Sequence, residues 1–312
     1  MAYNSDSHVL PTIRSNGVLL AQVVPQGGRI SGQSSVIELD GWNWEDAGYK
    51  FDQGVHVRFP SVYAFGFDPV LGFSQRKNDN FTKQLAELEG FFKEAQAYTK
   101  KDKPMPRNLK FEAMRDVFSL KKTLFIHANL VKEMTEAVLL GKKYDCKMVI
   151  VGGTDAWLMT NLLKENNVSV ILNEPQRLPN RNDEDYDQPF KTAAQLKEAG
   201  IPFCLSISNG GWKQRNLPLM AGQTVGHGLA YEDAVMAITS APAKILGIEN
   251  TVGTLEVGKD ATLIVTEGDA LDMRTSKVIH AFIRGKEIDL NNKQKDLYRR
   301  FQTKYERQKS GK

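Results

Sequence analysis

An α/β fold on parallel strands is the class this sequence predicts, on three observations. Between Thr123 and Gly226 a strand-then-helix pattern repeats four times, and such alternation builds parallel strands joined by right-handed crossovers. The strands are near-continuous apolar runs, as expected where both faces of a sheet are covered. The chain of 312 residues is long enough for one α/β barrel with a small companion unit. A doubly wound open sheet would give the same local pattern, so the alternation leaves both architectures open.

Taken in order, Asn16-Gly17 leads into an apolar strand, Val18 to Val24, and Ser35 to Leu39 forms a second. After it comes the aromatic-acidic cluster Trp42-Asn-Trp-Glu45-Asp46, suited to lining a ring-shaped ligand's pocket or to packing on the sheet. Phe81 to Lys101 and Arg107 to Phe118 read as amphipathic outer helices. The four repeats then follow: Leu124 to His127 with a helix of Val131 to Lys143, Met148 to Val151 with Asp155 to Lys164, Val168 to Leu172 with Ala193 to Ala199, and Phe203 to Ser206 with a helix beginning near Pro218. The polar stretch from Arg177 to Pro189 is a long loop inside the third repeat, a length that suits a lid or a surface excursion.

Ala234 to Leu246 is apolar at helical spacing, and Gly247 follows where a left-handed cap is cheapest. Gly253 and Gly258 bracket a short strand predicted over Thr254 to Val257, and Ala261 to Val265 is another. Val278 to Ile283 enters a tight turn at Arg284-Gly285-Lys286. The Lys/Arg-rich stretch after Lys293 reads as a solvated helix.

Apolar residues at 41% and charged residues at 25% are globular values, and a net charge of +4 gives no basic stripe for nucleic acid. No run is long and apolar enough for a membrane span. The start has neither the basic end nor the apolar core of a signal peptide. Cys146 and Cys204 sit beside or within apolar strands, which favours two buried thiols over a disulfide or a zinc pair. The expected partners are a small-molecule substrate, without nucleic acid or membrane.

The stretches Ala-Ile-Thr-Ser-Ala-Pro-Ala-Lys-Ile-Leu-Gly-Ile (237–248), Gly-Thr-Leu-Glu-Val-Gly-Lys-Asp-Ala-Thr-Leu-Ile-Val (253–265) and Val-Ile-His-Ala-Phe-Ile-Arg-Gly-Lys-Glu-Ile (278–288) resemble, in that order, the closing segment of the amidohydrolase superfamily, especially its imidazolonepropionase-like branch. The resemblance implies a (β/α)8 TIM-type barrel, here incomplete at its N-terminus, with a small C-terminal β-sandwich portion. On this reading residues 1–247 form the barrel, 248–290 the sandwich portion, and 291–312 a basic helix or tail. Val18 to Val24 resembles the family's second barrel strand, so the chain is expected to begin after strand one. A homo-oligomer, or a partner supplying the missing N-terminal strands, follows as an expectation. The compartment reads as cytoplasmic from this chain alone, or exported if a signal peptide lies upstream.

Parallel strands send every strand-to-helix loop to one face, where barrel chemistry sits. Those loops carry His127-Ala-Asn129, then Gly152-Gly153-Thr-Asp155-Ala-Trp157, then Asn173-Glu174, then Ser208-Asn209-Gly-Gly-Trp212. Arg29, beside the Gly27-Gly28 turn, joins the same rim and could meet a substrate carboxylate. The resemblance implies one divalent metal (Zn, Mn or Fe) held by histidines and an aspartate. His127 matches the strand-five ligand. Gly152-Gly153 stands where the strand-six histidine is expected, and Ser206-Ile-Ser208-Asn209 where the strand-eight carboxylate is. The expected catalytic set is His127, Asp155 and Asn209, with Gly152, Gly153, Trp157, Asn173, Glu174, Trp212 and Arg29 around the substrate and His127 as the metal ligand. Three readings follow: hydrolysis of a non-peptide C–N bond, in a cyclic amide or imidazolone-like substrate, by metal-assisted water attack if a metal is bound; a degenerate binding protein that keeps the pocket without the hydrolytic metal; or a fragment of a split or truncated enzyme.

Overall fold

Short connections fix the first part of the chain as an antiparallel meander. The computed structural model describes residues 3–68, 72–181, 183–208 and 211–311. Helix α1 (Val9–Arg14) precedes β1 (Leu20–Val23), β2 (Ile30–Glu38) and β3 (Gly48–Arg58), and each strand pairs antiparallel with the next. Val18 to Val24 therefore does hold a strand, but its neighbour in sequence runs back against it. The reason is length. The loop between β1 and β2 turns on Gly27 and Gly28, both at positive φ, and is too short for the helical crossover that a parallel pair needs.

A free ribbon of β4 (Tyr63–Asp68) and β5 (Gly72–Lys77) leads to the long helices α2 (Phe81–Thr99) and α3 (Leu109–Phe118). Asn108 caps α3 by accepting from Lys110 N and Phe111 N, as a helix N-terminus prefers. The repeats follow: β6 (Thr123–Ala128), α4 (Val131–Lys143), β7 (Met148–Gly152), α5 (Thr160–Glu165), β8 (Ser169–Leu172), α6 (Gln188–Glu198), β9 (Phe203–Leu205) and α7 (Leu217–Val225). Strands β3, β6, β7, β8 and β9 are all parallel neighbours, completing a seven-stranded sheet ordered β1-β2-β3-β6-β7-β8-β9. The sheet is a curled, mostly parallel half-barrel, an incomplete TIM-type barrel.

Side-chain alternation divides the sheet into two faces. Val55, Val57, Leu124, Ile126, Ile150 and Val170 point outward to the helices and meet Leu88 and Phe92 of α2, Met114 of α3 and Leu196 of α6. Each such fully buried side chain contributes about 2 kcal/mol of hydrophobic stabilisation. Phe125, Val149, Val151, Ile171 and Cys204 point inward.

The sequence from Tyr231 to Leu246 is two helices rather than one, α8 (Tyr231–Met236) and α9 (Ser240–Leu246). Pro242 cannot donate a backbone bond and falls in the first turn of α9, where that loss is harmless. Gly247 closes α9 in the left-handed conformation at φ 68°. Ile245 lies against the inward-facing cluster, while Ala243 reaches Val36 of β2. Thus α9 crosses the floor of the half-barrel.

The strand expected over Thr254 to Val257 does not form. The segment is irregular, with Leu255 and Val257 exposed, because Gly253 and Gly258 both take positive φ and the backbone closes on itself through Asp260 N to Thr251 O. A three-stranded antiparallel sheet follows, of β10 (Leu263–Glu267), β11 (Lys277–Ile283) and β12 (Lys286–Glu287), with Arg284 and Gly285 at positive φ in its tight turn. Helix α10 (Lys293–Lys309) buries none of its residues. Among the described residues, no helix is long and apolar enough to cross a membrane.

Candidate functional site

The inward face near the ends of β3 and β6 holds a histidine pair, His56 buried and His127 half-buried. His56 Nδ1 lies 2.9 Å from His127 Nε2. Strand β3 alternates Val55-His56-Val57-Arg58, so the valines enter the outer core while His56 and Arg58 face inward. In the parallel register, His56 sits opposite Phe125 and Arg58 opposite His127. The Phe125 ring stacks on His56 at 4.7 Å between centroids. Gly54 makes room for that ring, since a β-carbon there would meet it at 2.3 Å.

A polar network reaches the pair from the neighbouring strands. Gln22 Nε2 donates to Ser34 Oγ at 3.1 Å and stands 3.4 Å from His56 Nε2, and Gln53 Nε2 also donates to Ser34 Oγ. Burial, then the neighbouring His127 and the Arg58 charge, holds the His56 pKa down to about 3. Burial first and Arg58 second bring His127 to about 4. Both imidazoles are neutral at neutral pH. Arg58 donates to the Gln26 side chain, Arg29 Nη1 donates to Arg58 O at 3.2 Å, and Arg58 Nε is buried with no hydrogen-bond partner among the described residues.

The other sequence-predicted residues divide between two places. Gly152, Gly153, Asn173 and Glu174 line a small crevice of about 20 Å³ that is bounded by Pro189, Thr192 and Ala193 of α6 and Thr224 of α7. That volume holds about one water molecule. His127, Asp155, Trp157, Trp212 and Arg29 are not among its lining residues, and the crevice lies between the strand ends and the helices α6 and α7. Glu174 Oε2 is buried there without a hydrogen-bond partner among the described residues. Asn173 Oδ1 accepts from Ser208.

Asp155 is a structural junction in this geometry. Its Oδ2 accepts from Val131 N at the start of α4, and its Oδ1 lies 3.0 Å from Arg181 Nη1. Burial raises its pKa against the opposing pull of Arg181. The Arg181 guanidinium also lies 5.9 Å from the Trp157 ring centre. Trp212 is partly exposed in a 3-10 turn, Gly211–Asn216. Asn209 lies outside the described residues.

His56 and Gln22 carry no role in the sequence analysis, although the alternation of valine with His56 and Arg58 was a legible signal for a strand with one polar face. Cys146 and Cys204 are free thiols, both pushed up to about 12, mainly by burial.

A divalent metal does not fit the described donors. No group of three or more His, Cys, Asp or Glu converges among the described residues. The two facing histidine nitrogens, 2.9 Å apart, are hydrogen-bonded to each other. Two imidazoles on one tetrahedral zinc ion would be separated by roughly 3.3 Å, given Zn–N bonds of ~2.05 Å.

The model of the Amidohydrolase family matches residues 93–288. No curated protein matches the chain. Among solved structures, an amidohydrolase from Thermotoga maritima shares the fold at a TM-score of 0.77 and 22% identity, covering 92% of this chain and 76% of that one. A Xaa-Pro dipeptidase with methionine in its active site is similar at a TM-score of 0.48 and 17% identity, over 79% of this chain and 56% of its own. An adenosine deaminase from Xanthomonas campestris with bound Zn is similar at 0.42 and 17%, over 75% and 60%. The chain therefore spans little more than half of those two proteins. Because the family model covers most of the sequence, including β6 to β9 and the closing segment after them, the chain belongs to the amidohydrolase family.

Proposed function

We propose that this chain hydrolyses a non-peptide C–N bond, in a cyclic amide or imidazolone-like substrate, at the His56–His127 centre. The observation that carries the reading is the neutral imidazole pair on the inward face beside the Arg58 cation. It lies at the C-terminal ends of the parallel strands, where barrels place their chemistry. A polarised carbonyl suits a cation and N–H groups in a buried setting. Arg58 supplies the charge, and His127 supplies a neutral polar ring beside it. Among the described residues the donors make no metal shell, so the reading has Arg58 and His127 orient and polarise the carbonyl while water adds to its carbon, one water proton passing to the leaving nitrogen as the C–N bond breaks.

The test is hydrolysis of hydantoin, dihydrouracil and an imidazolone by the full chain, with chelator and with added Zn, Mn or Fe(II). Arg58→Gln and His127→Asn are each expected to lower turnover by about 10²-fold. A second reading, a family member that binds such rings without turning them over, is favoured by the donor set. Saturable binding with no turnover under every metal condition would establish it and overturn the first. Strand β1 has no second partner among the described strands. That edge is where a strand from another copy, or from a separate partner, would add.

A further inference from the structure

We infer that Gln22, acting through His56, fixes His127 as a hydrogen-bond donor, so that the site takes a carbonyl or carboxylate oxygen as its ligand. The inference rests on reading the histidine pair as the reactive centre, and it follows from counting protons. Ser34 Oγ accepts from both the Gln22 and the Gln53 amides and faces Gly54 O at 3.5 Å. With one Gln22 amide proton on Ser34, the second points at His56 Nε2, 3.4 Å away. His56 Nε2 must then carry the lone pair, and its proton sits on Nδ1. That proton is donated across 2.9 Å to His127 Nε2.

Accepting at Nε2, the His127 ring carries its own proton on Nδ1. No protein partner for Nδ1 occurs among the described residues, and the His127 ring is only partly buried. His127 therefore offers an N–H, not a lone pair, to whatever enters. Arg58, opposite His127 in the strand register, adds a positive charge with a buried, unpartnered Nε. Two donors and no acceptor select an oxygen with lone pairs, and more strongly one carrying or developing negative charge. The same arrangement accounts for the poor fit to a metal, since the lone pair a cation would need is already accepting from His56. Gln22 and His56 are positioning residues in this scheme. Neither touches the ligand.

The tautomers can be read directly by two-bond proton–nitrogen correlation spectra of the full chain labelled with 15N-histidine at neutral pH. Both His56 and His127 are expected to carry their proton on Nδ1. Acetate, as the probe, should shift His127 Nδ1 saturably, and Arg58→Gln should weaken that binding by at least roughly tenfold. Gln22→Met should replace the single His127 tautomer by a mixture. A proton on His127 Nε2 would overturn the inference, as would stoichiometric Zn²⁺ binding at His127 or a Gln22→Met spectrum unchanged from the parent. Should Gln22→Met fail to fold, the parent spectrum still decides. Absence of hydrolysis would sink the proposed activity while leaving the tautomers and acetate binding intact, so the two failures are distinguishable.

Discussion

Gly152 adopts φ +109°, and a β-carbon built there would lie 2.4 Å from Asn129 Oδ1. That backbone region is closed to side chains, and Asn129 is itself held by a hydrogen bond from Thr154. A histidine at Gly152 would need a different chain path, because any β-carbon there is excluded by the backbone conformation and by Asn129. Gly152→Ala should cost about 2–3 kcal/mol through strain and displacement of Asn129, measurable by urea denaturation. A neutral outcome would mean that the strand end relaxes freely. The histidine pair supplies a second expectation. Unfolded, both rings protonate near the ordinary value; folded, they resist until about 4 for His127 and about 3 for His56. Below the ordinary histidine value the unfolded chain thus holds more protons than the native one, and stability falls with pH. The contribution is complete above that value and is lost as pH drops toward those folded pKa values. Each histidine adds at most ~1.4 kcal/mol per pH unit to the slope, His127 less because it is partly exposed. His56→Gln should flatten the acid limb of stability against pH, and an unchanged slope would count against burial as the cause.

At the scale of elements, the repeats β6–α4 through β9–α7 were legible because apolar runs and helical periodicity are local signals. Gly247 as a left-handed cap was legible for the same reason. What escaped depended on partners distant in sequence. Val55-His56-Val57-Arg58 joins the candidate site only because β3 pairs with β6 across the intervening helices α2 and α3, a pairing that no local pattern announces. The failed strand at Thr254 to Val257 had suitable residues but no neighbour to pair with. The long polar loop, also visible in the sequence, turns out to be tied down from within. Glu184 has a fully buried side chain, accepts from Asn180 N at 2.7 Å and pairs with Arg177 at 3.4 Å, while Arg181 reaches Asp155. Glu184→Ala should leave Arg177 and the Asn180 amide without their acceptor and lower stability by about 2 kcal/mol, below the full cost of breaking a buried pair because Arg177 is partly exposed. Limited proteolysis should then cut between Pro175 and Asp187 well before the β6–β9 core. Equal protease resistance in the variant would show that the loop is held by packing instead.

For the whole molecule, the question is how the small β10–β12 sheet is joined to the half-barrel. Its apolar face packs around Ala281, Ile283 and Ile288 and takes in Leu19 just ahead of β1. The polar part of the junction converges on Arg284, in the tight turn between β11 and β12. Arg284 Nε lies 2.6 Å from Glu38 Oε1 of β2, and its guanidinium rests over the Tyr49 ring at 4.8 Å. Tyr49 in turn bonds Thr251 and Asp260, so one residue links β2, β3 and the irregular segment before β10. Burial raises the Glu38 pKa while Arg284 pulls it down, so Arg284 is the partner that offsets the cost of a charged carboxylate at this desolvated position. Removing the partner leaves that charge uncompensated. Arg284→Ala should cost about 2 kcal/mol, less than for a fully buried pair because half of Arg284 is exposed to solvent. The sign of its pH dependence follows from Glu38. Above the folded pKa the bare carboxylate is ionised and the penalty is full; as pH falls through that value the acid becomes neutral and the penalty shrinks. Denaturation of parent and variant at alkaline and at acidic pH should therefore show curves that converge on the acid side. A constant difference across pH would place the loss in the Tyr49 packing and not in the ion pair.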